Sequence, residues 1–101
     1  MVGPEDGDID EEVPDTLELP IDGTLDLHTF RPSEVRELVA DYLEECRRRG
    51  ILEVRIIHGK GTGRLRETVR RILSNHPGVR SFHTPSDSSG WGATIVTLRP
   101  I

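Results

Sequence analysis

Six apolar side chains, Val35, Leu38, Val39, Tyr42, Leu43 and Cys46, recur at helical spacing between two segments of β-type pattern, and this sandwiching limits how the chain can fold. Before the stripe, Thr24-Leu25-Asp26-Leu27-His28 alternates with period two, which turns Leu25 and Leu27 toward a core. After it, Val54-Arg55-Ile56-Ile57-His58 is rich in β-branched residues and reads as a second strand. The helix expected over Ser33 to Arg49 is entered through Pro32 and stopped at Gly50. A crossover of helix length returns the chain in its original direction, so the two strands are expected to pair in parallel.

Leu65, Val69, Ile72 and Leu73 mark one face of a second helix that must end before His76-Pro77-Gly78. Two further strands fit Val79 to Thr84 and Ala93 to Leu98, joined as a hairpin through the polar loop Pro85 to Gly92. The expected fold is an α/β (α+β two-layer) sandwich of order β-α-β-α-β-β. Its four-stranded mixed sheet carries both helices on one face.

Charge divides the chain in two. Residues 1–30 hold ten Asp and Glu and no Lys or Arg, whereas residues 31–101 hold eight acids against thirteen bases. Residues 1–16 are therefore expected to be an acidic, disordered tail, too poor in apolar surface to offset the entropy of ordering, ahead of a domain over 17–101. Only 34% of residues are hydrophobic and 4% aromatic, so the core must be compact and aliphatic. The basic balance of the folded part is compatible with a polyanionic partner. Cys46 is the single cysteine and lies on the helix stripe, which excludes an intramolecular disulfide and favours packing over catalysis. With no secretory pattern and no apolar run of bilayer length, the expectation is a cytoplasmic protein with no membrane partner, and a monomer.

Asp26 and His28 lie two residues apart, which places both side chains opposite Leu25 and Leu27, at the strand's C-terminal end where open α/β sheets bind ligands. A carboxylate beside an imidazole suits proton transfer near neutral pH. Such a pair also serves as a solvated strand face, a structural hydrogen bond or two donors for a divalent ion. The second strand runs directly into His58-Gly59-Lys60-Gly61-Thr62-Gly63. Amides of a glycine loop at a helix N-terminus can seat a phosphate, with Lys60, Arg64 and Arg66 adding positive charge. The alternative is a tight turn whose glycines supply positive φ. The spacing G-x-x-x-x-G-K-[ST] is absent, so no nucleoside triphosphate is inferred, and no residue set is read as a metal site. Arg47, Arg48 and Arg49 complement the first helix's dipole, and Arg70 and Arg71 extend the charge of the second. Trp91, flanked by Gly90 and Gly92, can stack on an unpaired base or fold back as a lid on the core.

Together, Leu25-Asp26-Leu27-His28, the His58 to Gly63 motif H-G-x-G-x-G and the terminal pattern G-x-G-A-T-x-V-x-L from Gly90 to Leu98 resemble the Smr (small MutS-related) domain. The resemblance covers about Leu17 to Leu98, with Thr29 departing from the glycine that many members carry after the histidine. It implies a fold similar to the C-terminal domain of bacterial translation initiation factor three. It also implies a structure-selective endonuclease that nicks DNA or cleaves RNA, including messages on collided ribosomes, with Asp26 and His28 catalytic and the loop binding the nucleic-acid backbone. Cleavage of RNA through its 2′-OH would need no metal, whereas DNA cleavage calls for water and a divalent ion such as Mg or Mn. The competing expectation is a module that binds branched or single-stranded nucleic acid, or a ribosome, without cutting it.

Overall fold

The computed structural model describes residues 20–87 and 90–101. Residues 1–16, and all but Pro20 of the segment Leu17 to Pro20, lie outside the described residues, as do Ser88 and Ser89 of the last loop. The elements follow in the order β1 (Thr24–Asp26), α1 (Pro32–Arg48), β2 (Glu53–Ile57), α2 (Arg64–Ser74), β3 (Val79–His83) and β4 (Ala93–Leu98), with a 3-10 turn over Gly90–Gly92.

The sheet order is β1-β2-β4-β3. β1 pairs in parallel with β2, as the crossover through α1 requires. β4 is antiparallel to both β2 and β3, so β3 runs parallel to β2 with a gap between them that β4 returns to fill. The mixed four-stranded α+β sandwich is thus confirmed.

One face of the sheet presents Leu25, Leu27, Val54, Ile56, Val96 and Leu98 to Val35, Val39, Leu43, Val69 and Leu73 of the helices, in a single buried cluster. Helix α1 starts where expected, because Pro32 needs no amide partner and the Glu34 carboxylate accepts the Arg31 amide at 2.9 Å. Tyr42 is fully buried, and its hydroxyl accepts the Gly23 amide at 3.1 Å and lies 3.0 Å from the Thr24 carbonyl. That contact fixes the entry of β1 against α1. Burial pushes the Tyr42 phenol above its ordinary value, so it stays protonated and able to donate.

The strand ends differ from the sequence expectation at the two places that matter for chemistry. β1 stops at Asp26, leaving His28 in a turn, and β2 stops at Ile57, leaving His58 just beyond it. Both histidines therefore occupy the seam between strand and loop.

Candidate functional site

The C-terminal ends of β1 and β2 lie side by side, with Asp26 in register with Ile57 and the Leu27 amide donating to the Ile57 carbonyl at 2.9 Å. This is the edge at which parallel strands deliver the amide-rich N-termini of their following helices. Two groups of residues meet there, on opposite faces of the sheet.

On the face away from the helices, the Asp26 carboxylate binds His28 twice. Its Oδ1 accepts the His28 backbone amide at 3.0 Å and lies 2.7 Å from His28 Nδ1. These two bonds, the amide foremost, hold the Asp26 carboxyl below its ordinary value, so it is ionised. An ionised acceptor at Oδ1 places a hydrogen on Nδ1 and leaves Nε2 directed away from the pair. The His28 side chain is 75% exposed, so that nitrogen is open to a large substrate.

On the helix-covered face, His58 continues the Val54-Ile56 alternation inward and is buried. Its Nδ1 is 3.2 Å from the Gly59 carbonyl and its Nε2 is 2.9 Å from the hydroxyl of buried Thr94. A carbonyl only accepts, so Nδ1 carries the hydrogen and Nε2 receives the Thr94 proton. Burial, opposed by the Gly59 bond and reinforced by the nearby Arg66 and Arg70 charges, pushes the imidazole below its ordinary value and keeps it neutral. His28 and His58 thus share the sheet edge, but their side chains leave it on opposite faces. The alternation of β2 itself carried that signal, since His58 shares parity with Val54 and Ile56.

The glycine loop is pinned from β4. The amides of His58 and Gly59 both donate to the Gly92 carbonyl, at 3.0 and 2.8 Å. A Cβ at Gly92 would lie 3.1 Å from Lys60 Cγ and 3.6 Å from the Gly59 and Lys60 backbone, so a larger residue there would make the Lys60 side chain shift. Gly59 and Gly63 have φ of 81° and 86°, so the turn reading holds for these two positions. Gly63 is the N-cap of α2, so the first-turn amides of Leu65 and Arg66 have no intrahelical carbonyl to bond. These features serve a phosphate seat equally well.

The loop and the first turn of α2 line a cleft of about 420 Å³ that includes Phe30, His58, Gly61, Gly63, Arg64 and Arg66. Asp26 and His28 do not line it. Phe30, two residues beyond His28, does, so the chain from His28 to Pro32 wraps around the sheet edge from one group to the other. Lys60 and Trp91 do not line it, and the Lys60 side chain lies against Gly90 and Gly92. Trp91 lies over Gly63, with Cζ3 3.4 Å from where a Cβ would stand, and the Arg66 guanidinium is 5.7 Å from its ring centroid. The indole is nevertheless 44% exposed, so it is neither a core lid nor a free tether. Among the described residues no three His, Cys, Asp or Glu gather as a metal site, and no helix is long and apolar enough to cross a membrane.

Fold and site together define a two-layer α+β domain with an acid–imidazole pair and a basic glycine loop at one sheet edge. The Smr domain model matches residues 25–99, and the chain belongs to that family. Over 76 residues it is 40% identical to an endonuclease MutS2 of Solidesulfovibrio magneticus, covering 74% of this chain and 10% of that protein. With an endonuclease MutS2 of Caldicellulosiruptor saccharolyticus the identity is 47% over 62 residues, or 60% of this chain and 8% of the relative. The chain therefore spans about a tenth of the length of these curated relatives. Among solved structures, the Smr domain of Thermus thermophilus MutS2 superposes with a TM-score of 0.71 at 40% identity, over 76% of this chain and 98% of that one. YdaL, a stand-alone small MutS-related protein from Escherichia coli, gives 0.70 at 30% identity, over 79% of this chain and 66% of its own.

Proposed function

We propose that this chain is a structure-selective endonuclease in which Asp26 and His28 transfer protons and the His58 to Gly63 loop, with Lys60, Arg64, Arg66 and Trp91, holds the nucleic-acid backbone. The observation that carries the reading is the 2.7 Å Asp26–His28 contact, which aims an exposed imidazole nitrogen outward at the edge shared with the basic loop. The MutS2 relatives, which carry the name endonuclease, support the same class of activity.

In RNA, neutral His28 takes the proton of a 2′-OH through Nε2 while Asp26 stabilises the imidazolium that forms. The O2′–P bond forms as the P–O5′ bond breaks, leaving a 2′,3′-cyclic phosphate and a 5′-oxygen that takes a proton from solvent. In DNA the attacking group is water, and a divalent ion would draw on the Asp26 carboxylate and the substrate phosphate. His58, buried and neutral, acts through the loop it anchors. Because pair and cleft lie on two faces, the strand must pass around the edge near Phe30, which favours flexible or branched substrates over a straight duplex.

The test is incubation of the purified protein with branched and hairpin RNA and DNA, with Mg²⁺, Mn²⁺ or EDTA, beside Asp26→Asn and His28→Gln. Cleavage should fall by about 10² to 10⁴-fold in His28→Gln, the contribution of a positioned proton-transfer group. Cleavage by both variants at the wild-type rate sinks the catalytic assignment. Tight binding with no cleavage under any condition leaves the non-cleaving binding module as the correct reading.

A further inference from the structure

Away from the Asp26–His28 pair, helix α2 and the end of β3 build a second cationic feature. Arg66 and Arg70, one turn apart, both direct Nη2 at the Thr84 hydroxyl, at 3.1 and 2.7 Å. Each guanidinium also lies against an aromatic ring, Arg66 by Trp91 and Arg70 at 5.3 Å from the Phe82 centroid. The rings hold the planar groups in place and shed water from them.

The pair lacks the compensation that partly buried charges normally have. Arg47, Arg48, Arg49 and Arg55 each meet a carboxylate, at Glu44, Glu45, Glu45 and Asp87 respectively. Arg66 and Arg70 have no ion pair among the described residues, and the Nε of each is buried with no hydrogen-bond partner. Burial and the neighbouring Arg66 charge both press on the Arg70 guanidinium. Two like charges thus converge on one neutral oxygen. That oxygen has two lone pairs, both engaged by the arginines, so its own hydrogen can only be donated outward.

We infer that Arg66, Arg70 and Thr84 form a second phosphate subsite, adjoining the glycine-loop cleft through Arg66, that holds a backbone phosphate of single-stranded nucleic acid whose base stacks on the exposed part of Trp91. The inference rests on the nucleic-acid reading of the site. A phosphate oxygen accepts from the Thr84 hydroxyl and from the outer guanidinium N–H groups, and neutralises the repulsion between them. Trp91 stands between this subsite and the glycine loop, touching Gly63 on one side and Arg66 on the other, so one strand can engage both.

The test uses the full chain and a fluorescein-labelled 15-nucleotide oligothymidylate, with inorganic phosphate and tetraglutamate as competitors. Arg70→Gln should weaken binding about tenfold, as for loss of one charge-assisted contact, and lower the log–log salt slope by about 0.7. Arg71→Gln makes the same charge change on the exposed side of the helix and should cost less than about twofold. Arg70→Lys should recover little, because the planar fork is lost while the charge is kept. In nitrogen-15 spectra the Nε–H signals of Arg66 and Arg70 should shift on adding oligonucleotide, more than that of Arg71.

Equal losses in Arg70→Gln and Arg71→Gln, or unmoved Arg66 and Arg70 signals at saturation, overturn the subsite while leaving the endonuclease reading intact. Displacement by tetraglutamate in preference to phosphate also overturns it, by assigning the arginines to a protein carboxylate. Failure of the wild-type chain to bind any oligonucleotide overturns both.

Discussion

Replacing Thr94 by Val isolates the bond that ties the glycine loop to the core. Thr94 is fully buried and its hydroxyl lies 2.9 Å from His58 Nε2, the acceptor nitrogen of the neutral ring. Valine has almost the same shape, so the packing around β4 is retained and the change removes one donor from a buried acceptor. An unsatisfied buried acceptor of this type costs about 1–3 kcal/mol. For a domain of this size each kcal/mol lowers Tm by about 4–8 °C. The assay is urea unfolding at pH 8, followed by the fluorescence of Trp91, the single tryptophan. The midpoint should fall with the m-value unchanged. In a His58→Phe background the acceptor is gone, so the same Thr94→Val change should cost less than about 0.5 kcal/mol. A loss below about 0.5 kcal/mol in the wild-type background, or equal losses in both, would refute the tautomer and the bond.

Stability should also respond to pH through His58. Its native pKa lies below the ordinary 6.5, so the unfolded chain binds the proton first. The contribution is complete above pH 6.5 and is lost as pH falls through the lowered native value; unfolding midpoints from pH 8 to pH 5 should show a decline that His58→Phe flattens. Gly63→Ala should destabilise the fold by about 1–2 kcal/mol, since φ of 86° is left-handed, with an altered Trp91 emission because the new methyl meets the indole. A thermal melt equal to wild type would contradict that. Tyr42→Phe should cost about 1–3 kcal/mol in chemical denaturation, through the orphaned amide of buried Gly23, with no change in cleavage of a reference substrate.

Much of this architecture was legible along the chain. The stripe from Val35 to Cys46 announced α1, the alternation at Leu25 and Leu27 put Asp26 on the outer face, and the crossover dictated parallel pairing of β1 with β2. Gly90-Trp91-Gly92 was legible as part of the terminal Smr-like motif, and the Gly92 carbonyl holds both the His58 and Gly59 amides. The coarse site was visible as well, because a D-x-H pair and a glycine loop that each end a parallel strand must share an edge. That edge is not one surface, because the parity of His58 with Val54 and Ile56 directs it into the helix layer, where Thr94 satisfies it. Thr84 drew no attention because one threonine in a polar stretch has no periodicity to distinguish it.

The sequence by itself determined the order of elements, the buried face of β1 and of both helices, and the shared face of Asp26 and His28, because these depend on periods of two and 3.6 and on neighbours a few residues apart. Only the tertiary structure decided that β4 enters between β2 and β3, that Thr94 meets His58, and that Arg66 and Arg70 converge on Thr84. Those outcomes depend on which strand edges meet and in what register. That choice is made by the fit of whole layers, and no local pattern in a strand or helix records it.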